Sequence, residues 1–234
     1  MTHRPRIALI SALAQSPGPA MAAMADAWPE AYCHNLIDDS LAADFATLGA
    51  ITPAIHDRFL ALGRYAASVS DGGKRPDGIM FTCSAFRPAI DRVKADLRIP
   101  VVSPNEGAFD EALDICASLA GGGRIAIMLT FAGSLEPLIE ELRTIARARG
   151  QTAPEVIGVV VEGALEALQA GDGAEHDRRA AVAADAMPAT DVTVIGQFSM
   201  ARAASHVVAR RFEPVLTTPH AAVRKLRRLV DVRT

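Results

Sequence analysis

The stretch RIALISAL, residues 6–13, decides the fold, because it returns in mid-chain as RIAIMLTF, residues 124–131. Each copy opens on Arg-Ile-Ala and continues as a short apolar run, the pattern of a strand covered on both faces. A second pair follows, PVVSPNEGA from Pro100 and PVLTTPHAA from Pro214. When those prolines are superposed, Cys83 falls opposite Gln197 and Glu106 opposite His220. Three aligned places point to an internal repeat.

Working outward, short apolar runs alternate with longer Ala/Leu/Arg segments at helical spacing. Strands are expected at 7–13, 32–37, 78–82, 100–103, 124–130, 156–161, 192–195 and 214–217, which fall into two sets of four. Helices are expected at 53–68, 85–97, 108–119, 134–149, 163–169, 177–185, 199–210 and 221–230. Strands separated by helices predict an α/β protein with parallel sheets. Thr52–Pro53 gives an N-cap followed by Pro in the first turn, and Gly150 stops a helix whose last turn is cationic. Segments 70–76 and 171–173 are loops.

Composition narrows the function. Half the residues are hydrophobic and 22% are charged, so a chain of 234 residues has material for a large core. With 24 Lys+Arg against 27 Asp+Glu, the net charge of −3 provides no basic field for nucleic acid. No apolar run approaches the roughly 18 to 20 residues that cross a bilayer, so no membrane partner is expected. Residues 1–14 imitate a secretory leader, with a basic start and an apolar IALISALA. The mid-chain copy reads better as evidence for a first strand, so the N-terminus is expected to be retained. Cys33, Cys83 and Cys116 are odd in number and widely spaced, neither a disulfide framework nor a metal clip. The expectation is a reducing compartment, the cytoplasm.

Ligand sites of parallel sheets lie beyond the carboxyl ends of the strands. The rims to inspect are therefore 11–16, 82–86, 103–107, 130–134, 196–202 and 217–220. Cys83 joins the strand DGIMFTC to the helical SAFRPAIDRVKADL, where backbone N–H groups and the helix dipole favour a thiolate. Cys33 and Cys116 sit in apolar segments and read as packing residues.

FTCSAF after an apolar strand, GQFSMARAA after TVI in the second copy, and the SPNEGA and TTPHAA rims resemble the aspartate/glutamate racemase superfamily. That group includes amino-acid and hydantoin racemases, maleate isomerase and arylmalonate decarboxylase. The resemblance spans nearly the whole chain. It implies two similar lobes related by pseudo-two-fold symmetry, each a four-stranded parallel sheet flanked by helices, with the site in the cleft between them. The lobes are expected at 1–104 plus 211–234 and at 105–210. It implies no metal, pyridoxal phosphate or nucleotide, a small carboxylate-bearing substrate, and a homodimer.

Two-base members of that family use one cysteine from each lobe. Cys83 matches the first, while Gln197 occupies the place of the second. An amide has no ionisable proton near neutrality. Three outcomes stay open. Another donor, His220 or a water, replaces the missing thiol in a racemase; one thiol suffices for a decarboxylase or other lyase; or the chain is a silent binder of small acids. Racemase or epimerase chemistry at the carbon alpha to a carboxylate, with Cys83 and His220 catalytic, is the leading expectation.

The remaining rim residues read as a carboxylate cradle: Ser84, Thr130, Ser134, Ser199 and Thr217 offer hydroxyls, with Ser11, Ala85, Phe131 and Gln197 beside them. His3, His34, His56, His176 and His206 show no metal-ligand spacing. Gly121–Gly122–Gly123 precedes a strand, where a dinucleotide loop would follow one, and no G-x-S-x-G elbow occurs.

Overall fold

The computed structural model describes residues 4–14, 16–70 and 73–233. Met1, Thr2, His3, Gln15, Asp71, Gly72 and Thr234 lie outside the described residues, which takes in parts of the leader-like segment and of the 70–76 loop. Two four-stranded parallel sheets form. The first contains β1 (Arg6–Ser11), β2 (Tyr32–Ile37), β3 (Gly78–Phe81) and β4 (Val101–Val102) in the order β2-β1-β3-β4. The second contains β5 (Arg124–Leu129), β6 (Glu155–Val160), β7 (Val192–Ile195) and β8 (Val215–Thr217) in the matching order β6-β5-β7-β8.

The helices are α1 (Pro17–Ala27), α2 (Ser40–Leu48), α3 (Pro53–Ser68), α4 (Arg87–Asp96), α5 (Glu106–Ala117), α6 (Leu135–Ala148), α7 (Ala164–Gln169), α8 (Gly173–Ala186), α9 (Ala204–Val208) and α10 (Thr218–Asp231). Two of them, α1 and α2, were not expected. Pro17, Gly18 and Pro19 all sit in the first turn of α1, where backbone N–H groups have no intrahelical partner to lose. The expected helix 199–210 divides into a 3₁₀ segment, Phe198–Ala203, and the short α9.

By its internal contacts the chain forms two compact units, Met1–Gly107 with Ala222–Thr234, and Ala108–Ala221. The second boundary follows Ala221, where residue 210 was expected. Strand β8 is the reason: it pairs with β7 through Thr193, Val194 and Ile195, so it belongs to the second sheet.

Strand alternation explains the cores. In the second unit Ile125, Ile127 and Leu129 pack on one face with Leu138, Leu142 and Phe109, while Ala126 and Met128 pack on the other with Ala180, Met200 and Val207. Both faces of β5 are thus dry, as a parallel strand requires. In the first unit Ala8, Ile10, Ile79 and Phe81 pack against Phe59, Phe86, Ile90 and Val93. Gly78 makes room at the base of β3, since a Cβ there would lie 2.8 Å from Leu226 Cδ1 of α10.

The repeat is visible in hydrogen bonds as well as in letters. Asp77, just before β3, accepts from the Arg6 N–H at 2.8 Å, and Asp191, just before β7, accepts from the Arg124 N–H at 2.7 Å. In each unit the same aspartate also donates its own N–H to the partner arginine's carbonyl. These carboxylates satisfy strand-start N–H groups that would otherwise be orphaned. Replacing Asp77 or Asp191 with Ala is therefore expected to cost about 1 to 3 kcal/mol each in denaturant unfolding. A loss at one position only would show that the two contacts are not equivalent.

Candidate active site

Cys83 follows β3 and precedes a single 3₁₀ turn, Ser84–Phe86, with α4 beginning only at Arg87. The expected long helix directly after the thiol is therefore a short turn leading into a helix. Below the thiol, the Thr82 N–H donates to the Ile10 carbonyl at 3.1 Å, and the Thr82 hydroxyl donates to Ser11 Oγ at 2.9 Å. Beyond it, buried Phe86 packs its ring against Phe59 and Phe45, at centroid distances of 5.0 and 5.3 Å. Cys83 is thus held between a strand end and an aromatic anchor, and it remains half-buried.

Its sulfur lies 3.5 Å from the hydroxyl of Ser16, the residue that opens α1. A hydroxyl can accept from a thiol or donate to a thiolate, so this contact serves both protonation states. Ser16 lay within an inspected rim but was not singled out. The signal that could have found it is Ser134, its counterpart at the start of α6 in the second copy.

The equivalent rim of the second unit is built differently. Gln197 Oε1 accepts two hydrogen bonds, from the Thr130 N–H and the Thr130 hydroxyl, each at 2.8 Å. A backbone N–H can only donate, so the atom it meets is the amide oxygen, and the amide nitrogen with its two N–H groups is turned to the other side. The Gln197 amide is thus fixed in orientation, and it carries no group that ionises near neutrality.

The fourth strand of each sheet ends in the same local motif. Ser103 donates to Glu106 at 3.0 Å, and Thr217 and His220 Nδ1 are 2.7 Å apart. In both, a hydroxyl binds the titratable group three residues on. Glu106 is buried and is also paired with Lys94, while Lys225 lies 3.8 Å from its other oxygen. Half-exposed His220 is the less enclosed of the two groups.

The expected cradle residues differ in exposure and in hydrogen-bond partners. Ser11 is fully buried, with its hydroxyl in contact with that of Thr82. Thr130 and Thr217 are committed to Gln197 and His220. Ser84 and Ser134 are half-buried, and Ser199, Ala85 and Phe131 are exposed. Among the described residues no group of His, Cys, Asp and Glu could hold a metal ion, and no helix is long and apolar enough to cross a membrane.

The other thiols differ in chemistry. Burial pushes Cys33 up to about 11 against the opposing pull of Arg4. Burial, reinforced by the Asp191 carboxylate, also pushes Cys116 up to about 11. Both stay protonated near neutrality.

With the geometry in view, solved structures supply a comparison. Glutamate racemase isoform RacE1 from Bacillus anthracis matches with a TM-score of 0.65 at 9% identity, over 99% of this chain and 84% of that one. Allantoin racemase from Klebsiella pneumoniae matches with a TM-score of 0.62 at 19% identity, over 98% and 89%. Unliganded arylmalonate decarboxylase matches with a TM-score of 0.59 at 17% identity, over 97% and 92%. The chain has the fold that these solved enzymes share. No protein-family model matches the sequence, and no curated protein does.

Iodoacetamide at neutral pH is expected to label Cys83 in the folded protein and to spare Cys33 and Cys116, as read by peptide mass spectrometry. The two spared thiols should react only in denaturant or as pH climbs towards about 11. Equal labelling of all three would deny Cys83 its special place.

Proposed function

We propose that the chain is a cofactor-independent enzyme that moves a proton at the carbon alpha to a carboxylate, with Cys83 as the transferring group. The observation that carries this reading is the position of Cys83: a half-buried thiol just past an inner parallel strand, within reach of the Ser16 hydroxyl. The racemase and decarboxylase names of the structural neighbours support it at the level of fold.

In the racemase form, the Cys83 thiolate takes the alpha proton and the electron pair passes into the carboxylate as an enediolate. A second donor then returns a proton to the opposite face of the carbon. We assign that return to His220, the titratable group on a second-unit rim. N–H donors and hydroxyls stabilise the doubly charged enediolate as its charge develops.

Gln197 favours a second reading. Its oxygen is held by Thr130 and it has no proton to exchange, so chemistry needing one thiol fits the rims with less remodelling. In that form the bond to a second carboxylate breaks, CO2 leaves, and its electron pair becomes the enediolate. The Cys83 thiol then protonates the carbon from one side.

Two measurements in D2O separate these readings: deuterium entry at the alpha carbon with loss of optical rotation, and CO2 release. Replacing Cys83 with Ala is expected to reduce whichever activity is present by about a hundredfold or more. Retained turnover in that variant would remove Cys83 from the mechanism. Gln197→Cys is expected to raise racemisation.

A further inference from the structure

We infer that the second unit carries a binding site for a small neutral phenol, at the end of its sheet opposite the Gln197 rim. The site is a cavity of about 190 Å³ between the C-terminal turns of α5 and the segment that joins α6 to β6. It is independent of the Cys83 reading, since every residue that lines it belongs to the second unit.

Two segments that open strands build the walls. Gly122 leads into β5, and Gln151 and Pro154 lead into β6. The length of β5, roughly 20 Å at the usual rise per residue, separates them from Thr130. The run Gly121–Gly122–Gly123 suits no dinucleotide, but it has a use here. All three residues have positive φ, a backbone that side chains other than glycine's rarely adopt. A Cβ on Gly123 would lie 2.7 Å from Cys116 Sγ, so this glycine lets the backbone close on α5. A Cβ on Gly122 would meet nothing within 4 Å among the described residues, so the chain turns there beside open space. On the other side, Gly150 ends α6 and the Gln151 N–H donates to the Ala146 carbonyl at 2.9 Å. Arg149 ties that helix end to α5 through Asp110 and Asp114. Backbone turns and ion pairs thus hold the frame.

The lining selects the ligand. Leu113 and Cys116 are buried, Leu119 is 39% exposed, and with Pro154 they give apolar walls. One polar atom interrupts them: the Gln151 side-chain amide oxygen is buried and receives no hydrogen bond among the described residues. A buried acceptor without a donor is costly, so a ligand hydroxyl that supplies one is favoured. An anion is not. Burial and the Asp191 carboxylate together hold the Cys116 thiol up at about 11, and the Arg149 charge is already engaged by Asp110 and Asp114. An apolar cavity of roughly 150 Å³ takes up benzene. The volume here has room for a phenol ring with a further carbon.

The test follows saturation transfer in NMR from the whole chain to p-cresol and to 4-methylanisole, the same ring with its hydroxyl proton replaced by methyl. We expect p-cresol to bind with a Kd near or below about 1 mM, and at least about fivefold more tightly than 4-methylanisole. Gln151→Leu, which removes the orphaned amide, is expected to abolish that preference. Ala117→Leu, which adds bulk at an exposed lining position, is expected to weaken p-cresol binding at least about tenfold. Thermal melts verify that each variant is folded, and Gln151→Leu decides the matter if Ala117→Leu is not. Absence of transfer at about 5 mM p-cresol would overturn the inference. So would equal affinity for the two ligands, a preference unchanged in Gln151→Leu, or tight binding that survives Ala117→Leu. Binding that disappears in Cys83→Ala would put the phenol at that thiol and would overturn the inference too.

Discussion

The register between the first and third strand of each sheet is the constraint on which the rest depends. It is fixed at both ends. At the start, Asp77 and Asp191 bind the N–H groups of Arg6 and Arg124; at the finish, the N–H groups of Thr82 and Gly196 donate to Ile10 and Met128. A slip by one residue would turn Ile7 and Leu9 onto the face now held by Ala8 and Ile10. It would also carry Cys83 away from Ser16. The placement of the thiol is thus a by-product of strand pairing and needs no local strain to hold it, since no non-glycine described residue has a positive φ.

The two units show how one scaffold yields unlike rims. Both use a hydroxyl to hold the titratable group that follows the fourth strand, and both place an exposed apolar residue past the first. They diverge after the third strand. There one unit carries a thiol within reach of a helix-start serine, and the other an amide tied to a strand-end threonine. The divergence exchanges a thiol for an amide while the strand order beneath it stays the same.

Much of this was legible in the letters. Strand existence and the division into two sheets followed from apolar runs and their repetition, because buried parallel strands leave a strong compositional mark. Cys83 stood out at the join of a strand end and a helix start, and superposing Pro100 on Pro214 brought Gln197 opposite it. What stayed hidden depends on side-chain direction. Nothing in the sequence says that the Ser11 hydroxyl turns inward to Thr82, or that Thr130 spends both of its donors on Gln197. Helix α1 was hidden for a different reason, since prolines that end a helix in its middle can also begin one.

Both unit boundaries fall inside helices, between Gly107 and Ala108 in α5 and between Ala221 and Ala222 in α10. The second unit is therefore continuous in sequence, whereas the first waits for the far end of the chain. Residues Leu226 and Val230 close over Gly78, and Arg227 donates to the Ala27 carbonyl at 3.1 Å. During vectorial synthesis the middle of the chain can close its sheet while the opening strands still lack their cover. Assembly then finishes on the contacts of highest sequence separation, which are the slowest to form and the most exposed to mispairing.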